Sequence, residues 1–156
     1  DSSTSRGLGD VYKRQELQQC NPGTTVKIDV YSEPNANLET RMFKRIYVCL
    51  GALKLGFKAG LRDFLGFDGA FMKGPYPGQV LTAVGLDSTN GIYPLAYAIV
   101  EAENKSSWSW FLECLGEDLE LSTNSNFTFI SDRQKVSLLM ILVHDICVIL
   151  SATFKK

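Results

Sequence analysis

The segment DFLGFDGAFMKGPYPGQVLTAVGLDSTNGIYPLAYAIVEA, Asp63 to Ala102, decides the fold. It divides into apolar runs at about Asp63–Met72, Gln79–Leu86 and Ile92–Ala102, separated by KGPYPG and DSTNG. Each run has the length and the β-branched and aromatic content of a strand, while each spacer is dense in residues that reverse a chain. Asn90-Gly91 favours positive φ and so a tight hairpin turn. Three consecutive antiparallel strands are expected.

Working outward, Ser106 or Ser107 is placed to cap a helix in which Trp108, Phe111, Leu112, Leu115 and Leu119 share one face. Asn124 to Asn126 should end it before a further strand, FTFISD, and RQKVSLLMILV is expected to form a second helix. Upstream, TTVKIDVY (Thr24–Tyr31) alternates Val26, Ile28 and Val30 with polar residues and predicts a half-exposed strand. Between Met42 and Phe57, Phe43, Ile46, Tyr47, Leu50, Leu53 and Phe57 recur at steps of three and four, which predicts one helix ending near Gly56 and Gly60. An antiparallel unit leading through a helix to another strand implies an α+β fold, a mixed sheet with flanking helices. SRGLGDVYKRQ (Ser5–Gln15) resembles the translation of a sequencing adaptor, so residues 1–15 are expected to be a tail outside the fold. Residues 16–62 then form an N-terminal segment of strand plus helix, and 63–156 the core.

Composition narrows the function classes. With 16 basic against 17 acidic residues there is no global positive field, so any nucleic-acid contact must be local. Four cysteines without a C-x-x-C and one histidine, His144, indicate neither a disulfide framework nor a zinc cluster. No apolar run reaches the ~20 residues of a membrane span. G-x-S-x-G is absent, so no nucleophilic triad is suggested.

Against that background, one carboxylate stands out. Asp68 interrupts the first apolar run, on the same strand face as Gly66 and Ala70, and an ionised group buried there would cost several kcal/mol unless neutralised. Asp132 ends the strand FTFIS after the helix. If that strand lies beside the first, the two carboxylates approach each other, and ionising both without a cation between them is costly. Oxygen ligands suit Mg²⁺ or Mn²⁺, the ions of phosphoryl transfer. The plainer alternative is that Asp68 ends a strand and Asp132 caps a helix starting at Arg133.

The residues FKRIYVCLGALKLGFKAGLRDFLGFDGAFMKGPYPGQVLTAVGLDSTNGIYPLAYAIVEAENKSSWSWFLECL, followed by FISDRQK, resemble a plant Mutator-like element (MULE) transposase domain from about Pro22 to Lys135. The resemblance implies a ribonuclease-H-like fold and a metal-dependent acidic triad that cuts DNA at transposon ends and joins the freed 3′ hydroxyl to a target. It implies that Asp68 and Asp132 are the first and second catalytic acids and ligands of Mg²⁺ or Mn²⁺ in a two-metal site. DNA is the implied partner, the nucleus the implied location, and an oligomer is compatible with the intact transposase.

Departures from the pattern are equally plain. The family's third acid, a glutamate on a downstream helix, has no counterpart before Lys156, and its C-x-x-H element is not met at Cys147, which Leu150 follows. The chain is therefore expected to be a C-terminally truncated core, inactive by itself. Two other functions are compatible: a domesticated DNA-binding or regulatory module, and a pseudogene product without function. The remaining polar candidates have plain readings. Glu101 and Glu103 read as a solvated strand end, Trp108 as core, Lys73 as a surface lysine, and His144-Asp145 as a turn or helix end, while Trp110 stays open.

Overall fold

The computed structural model describes residues 14–31, 42–60, 63–74, 77–121 and 128–131. A helix over residues 14–20 (α1) leads to β1 (Thr25–Val30), β2 (Phe43–Cys49), α2 (Gly51–Lys58), β3 (Phe64–Met72), β4 (Gly78–Leu86), β5 (Ile92–Val100), α3 (Lys105–Leu119) and β6 (Thr128–Ile130). The three hairpin strands form as the turn chemistry requires. β3 and β4 pair antiparallel from Gly66–Val84 to Met72–Gly78, and β4 and β5 from Gln79–Val100 to Leu86–Ile92. In the second turn Asn90 has φ 65°, and the Asp87 carboxylate accepts from the N–H groups of Thr89 and Gly91.

β6 lies beside β3 and parallel to it, pairing Phe64 with Thr128, Leu65 with Phe129 and Gly66 with Ile130, a constant offset of 64 residues. On the other side β5 pairs with β2 and β2 with β1, so the sheet runs β1-β2-β5-β4-β3-β6. The architecture is α+β with a mixed sheet.

The single helix expected from Met42 to Phe57 is a strand followed by a short helix. Phe43 to Leu50 does carry a helical stripe, but Arg45, Tyr47 and Cys49 are buried on the face under α3 while Lys44 and Ile46 stay half-buried on the other, a period of two that the charge of Arg45 hides in the sequence. Hydrogen bonding to β1 and β5 on its two edges, with Ile and Val among its residues, favours the strand. Gly56 sits inside α2 instead of closing it, where a Cβ would meet the Tyr93 hydroxyl at 2.4 Å.

α3 crosses one face of the sheet and buries Trp108, Phe111, Cys114, Leu115 and Leu119 against Tyr47, Leu65, Phe67, Leu81 and Ala98. Burial of each large apolar side chain contributes about 1.5–3 kcal/mol. Trp108 meets Phe67 and Phe111 edge to face, at centroid distances of 6.4 and 5.8 Å. The helix is capped by Asn104, not by Ser106 or Ser107. Asn104 is extended, and its Oδ1 accepts from the Ser107 N–H at 3.0 Å and from Ser107 Oγ at 3.2 Å, which satisfies an N–H that the first turn would leave unpaired. Asn104→Ala is expected to lower stability by about 1 kcal/mol. A denaturant midpoint identical to that of the parent would show that the cap contributes nothing. Asn124–Asn126 and the helix expected from Arg133 lie outside the described residues.

Candidate functional site

Asp68 lies in the middle of β3, opposite Thr82 of β4. Strand alternation sends Leu65 and Phe67 into the core under α3, so Asp68 projects from the opposite face. It is exposed, which corrects the expectation of a buried carboxylate; the desolvation penalty that made it conspicuous in the sequence is largely absent. On the same strand face, a Cβ built on Gly66 would lie 3.1 Å from Val84 Cγ2, so Val84 already fills the place beside that glycine. The backbone around Asp68 is held closely. Thr82 Oγ1 donates to the Asp68 carbonyl at 3.1 Å, and the Gly69 N–H donates to Asp68 Oδ1 at 2.8 Å.

Asp132 lies outside the described residues, as do His144, Asp145 and Cys147. The last described residue after β6 is Ser131, whose Oγ is buried without a hydrogen-bond partner among the described residues. Among the described residues no three His, Cys, Asp or Glu side chains converge to hold an ion. Lys73 is exposed just past the end of β3.

Two polar arrangements escaped sequence reasoning. Glu103, read as a solvated strand end, is partly buried: it accepts from Trp108 Nε1 at 3.3 Å and its carboxylate rests on Gly69. The only sequence signal was a glycine directly after Asp68. At the other end of α3, the Asp118 carboxylate accepts from Thr25 Oγ1 at 2.6 Å, Tyr47 OH at 2.9 Å and Lys54 Nζ at 3.1 Å, joining β1, β2, α2 and α3. Burial, reinforced by the neighbouring Cys49 and Asp118, pushes the Tyr47 phenol far above its ordinary range, so it stays protonated and keeps the proton that it donates to Asp118. Burial likewise pushes the Cys49 thiol up to about 11, which makes it an inert packing residue.

Both candidate aromatics are placed. Trp108 is 1% exposed and belongs to the core, as expected. Trp110 is partly buried, with the Arg45 guanidinium 4.5 Å over its ring and the edge of Tyr47 beside it, so its face is already occupied by a cation. Arg45 is in turn held by Asp29 at 2.8 Å. No helix among the described residues is long and apolar enough to cross a membrane.

No match was found among curated proteins or among solved structures. The family model for the MULE transposase domain matches residues 64–144, more than half of the chain. That span begins at β3 and takes in Asp68, the β3–β4–β5 meander, α3 and β6. A carboxylate held at mid-strand in that meander, with β6 laid parallel to its strand, therefore belongs to a matched domain and not to a chance motif: the chain is a member of the MULE transposase family.

Proposed function

We propose that this domain serves a cut-and-paste DNA transposase in the nucleus, performing metal-dependent cleavage and strand transfer on a ribonuclease-H-like core, with Asp68 and Asp132 as cation ligands. One observation carries the proposal. Every β3–β6 pair is offset by 64 residues, and Asp68 and Asp132 are separated by the same 64. Continued two residues past Gly66 and Ile130, that register would bring the two carboxylates level on adjacent parallel strands, about 4.8 Å apart along the hydrogen-bonding direction.

The donor chemistry fits a hard divalent cation, since both groups are carboxylates and Asp68 is reachable from solvent. When bound, Mg²⁺ or Mn²⁺ polarises the scissile phosphate and eases deprotonation of the attacking hydroxyl. The chain's own part is positional. β3 pairing and the Thr82 and Gly69 hydrogen bonds fix the Asp68 backbone, so the carboxylate need not be ordered at the moment of binding. Lys73 supplies a positive charge five residues on, suited to a phosphate of the DNA backbone.

The exposure of Asp68 favours a second reading. A domesticated DNA-binding descendant could retain an exposed aspartate at almost no cost in stability. A Mn²⁺ titration of the chain followed by calorimetry separates the two. Saturable binding that weakens at least about tenfold in both Asp68→Ala and Asp132→Ala supports the catalytic assignment, a loss of about 1.4 kcal/mol in each. Binding unchanged in both variants, or absent from the parent chain, favours the metal-free module.

A further inference from the structure

We infer that Glu103 is a positioning residue for Asp68, acting through Gly69 and Trp108. This rests on the assignment of Asp68 to the cation site, although the contact itself does not.

The two neighbours of Asp68 in β3 are both gripped from the helix side of the sheet. Phe67, before it, packs edge to face on Trp108. Gly69, after it, lies under the Glu103 carboxylate: a Cβ built on Gly69 would stand 2.9 Å from Oε1, 3.0 Å from Cδ and 3.1 Å from Oε2. Only glycine lets the carboxylate come that close. Glu103 does not reach this place by chance of rotamer, because Trp108 Nε1 donates to its Oε1 at 3.3 Å and Trp108 is itself locked in the core. One indole thus orders both contacts, and the strand is clamped on either side of the residue that projects from its far face. The Gly69 N–H in turn donates to Asp68 Oδ1. A chain of contacts runs from the first turn of α3 through Glu103 and Gly69 to the Asp68 carboxylate.

A double-mutant cycle tests the clamp. With Glu103 present, Gly69→Ala must displace the carboxylate from Trp108, and the melting temperature is expected to fall by roughly 3 °C. In a Glu103→Ala background the same change has nothing to displace, and alanine, better than glycine in a strand, should leave the melting temperature unchanged or raise it. Additive effects would overturn the inference. Paramagnetic broadening of the Gly69 amide signal by Mn²⁺ then tests positioning as distinct from packing. Glu103→Ala is expected to weaken Mn²⁺ binding about tenfold, and Glu103→Gln, which keeps the acceptor for Trp108, to restore it to within about threefold. Broadening that is equal in the parent and Glu103→Ala would show the contact to be structural only and overturn the role. Broadening that is absent from the parent, or indifferent to Asp68→Ala, would sink the cation site instead. In that event the Gly69 amide signal still decides: displaced in Glu103→Ala and returned by Glu103→Gln, it supports the clamp, and unmoved by either, it refutes it.

Discussion

A transposase carrying this domain with Asp68→Ala is expected to cut its element ends at less than about a thousandth of the parent rate, a loss of roughly 4 kcal/mol of transition-state stabilisation. In a two-ion phosphoryl transfer one carboxylate sets the spacing of the cations, and neither nucleophile nor leaving oxygen is aligned without it. The same substitution should barely disturb the fold. Asp68 is exposed, its strand pairs through the backbone, and the hydrogen bond from the Gly69 N–H is worth about 1 kcal/mol. Large catalytic loss with small stability loss is the signature sought, measured by end cleavage in Mg²⁺ beside thermal melting of the same preparation. Cleavage within tenfold of the parent, or a collapse in melting temperature that explains the loss, would remove Asp68 from the site. Asp68→Asn refines the test, since it keeps the shape and the acceptor for Gly69 while removing the charge.

The second large effect is expected at the opposite end of α3, with no bearing on chemistry. Asp118→Ala should destabilise the chain by about 3–5 kcal/mol, lowering the melting temperature by roughly 10 °C or more. The side chain of Asp118 is 10% exposed and that of its partner Lys54 16%. Removal of the carboxylate takes the counter-charge from a largely buried ammonium, which keeps its hydrogen bond to Thr25 Oγ1 at 2.9 Å, and leaves the Tyr47 hydroxyl without this acceptor. The neutral replacement of both members, Asp118→Leu with Lys54→Met, should recover most of the loss, because a buried ion pair contributes little once both charges are gone. Equal destabilisation of the single and double variants would mean that the shape of the network, and not its charge, holds β1, β2, α2 and α3 together.

Where each interaction lies along the chain explains what could be seen from sequence. β3, β4 and β5 were legible because their side-chain alternation and the Asn90-Gly91 turn are local properties. α3 was legible through the stripe from Trp108 to Leu119, although its cap was placed too late, on the serines instead of Asn104. β2 was misassigned because the charged Arg45 occupies an inward position beside Tyr47 and Cys49 and so hides the period of two, and Phe43, Ile46, Tyr47 and Leu50 then happen to fit a helix. Asp68 was conspicuous as a charge in an apolar run, yet its exposure depends on which sheet face α3 covers, and no local pattern states that. Glu103 over Gly69 and Asp118 on Lys54 are pairs made by the fold alone, with 34 and 64 residues between partners.

The parallel pairing of β3 with β6 has a consequence for the order of folding. The β3–β4 and β4–β5 hairpins close short loops and can form as soon as their residues meet, whereas β6 must return across α3 to a strand 64 residues upstream. Loop-closure entropy makes that pairing slow, and during synthesis β6 is the last described strand to emerge. Until it docks, the outer edge of β3 carries open hydrogen-bonding groups directly beside Asp68, which is the stage at which a nascent chain is most prone to pair with another copy.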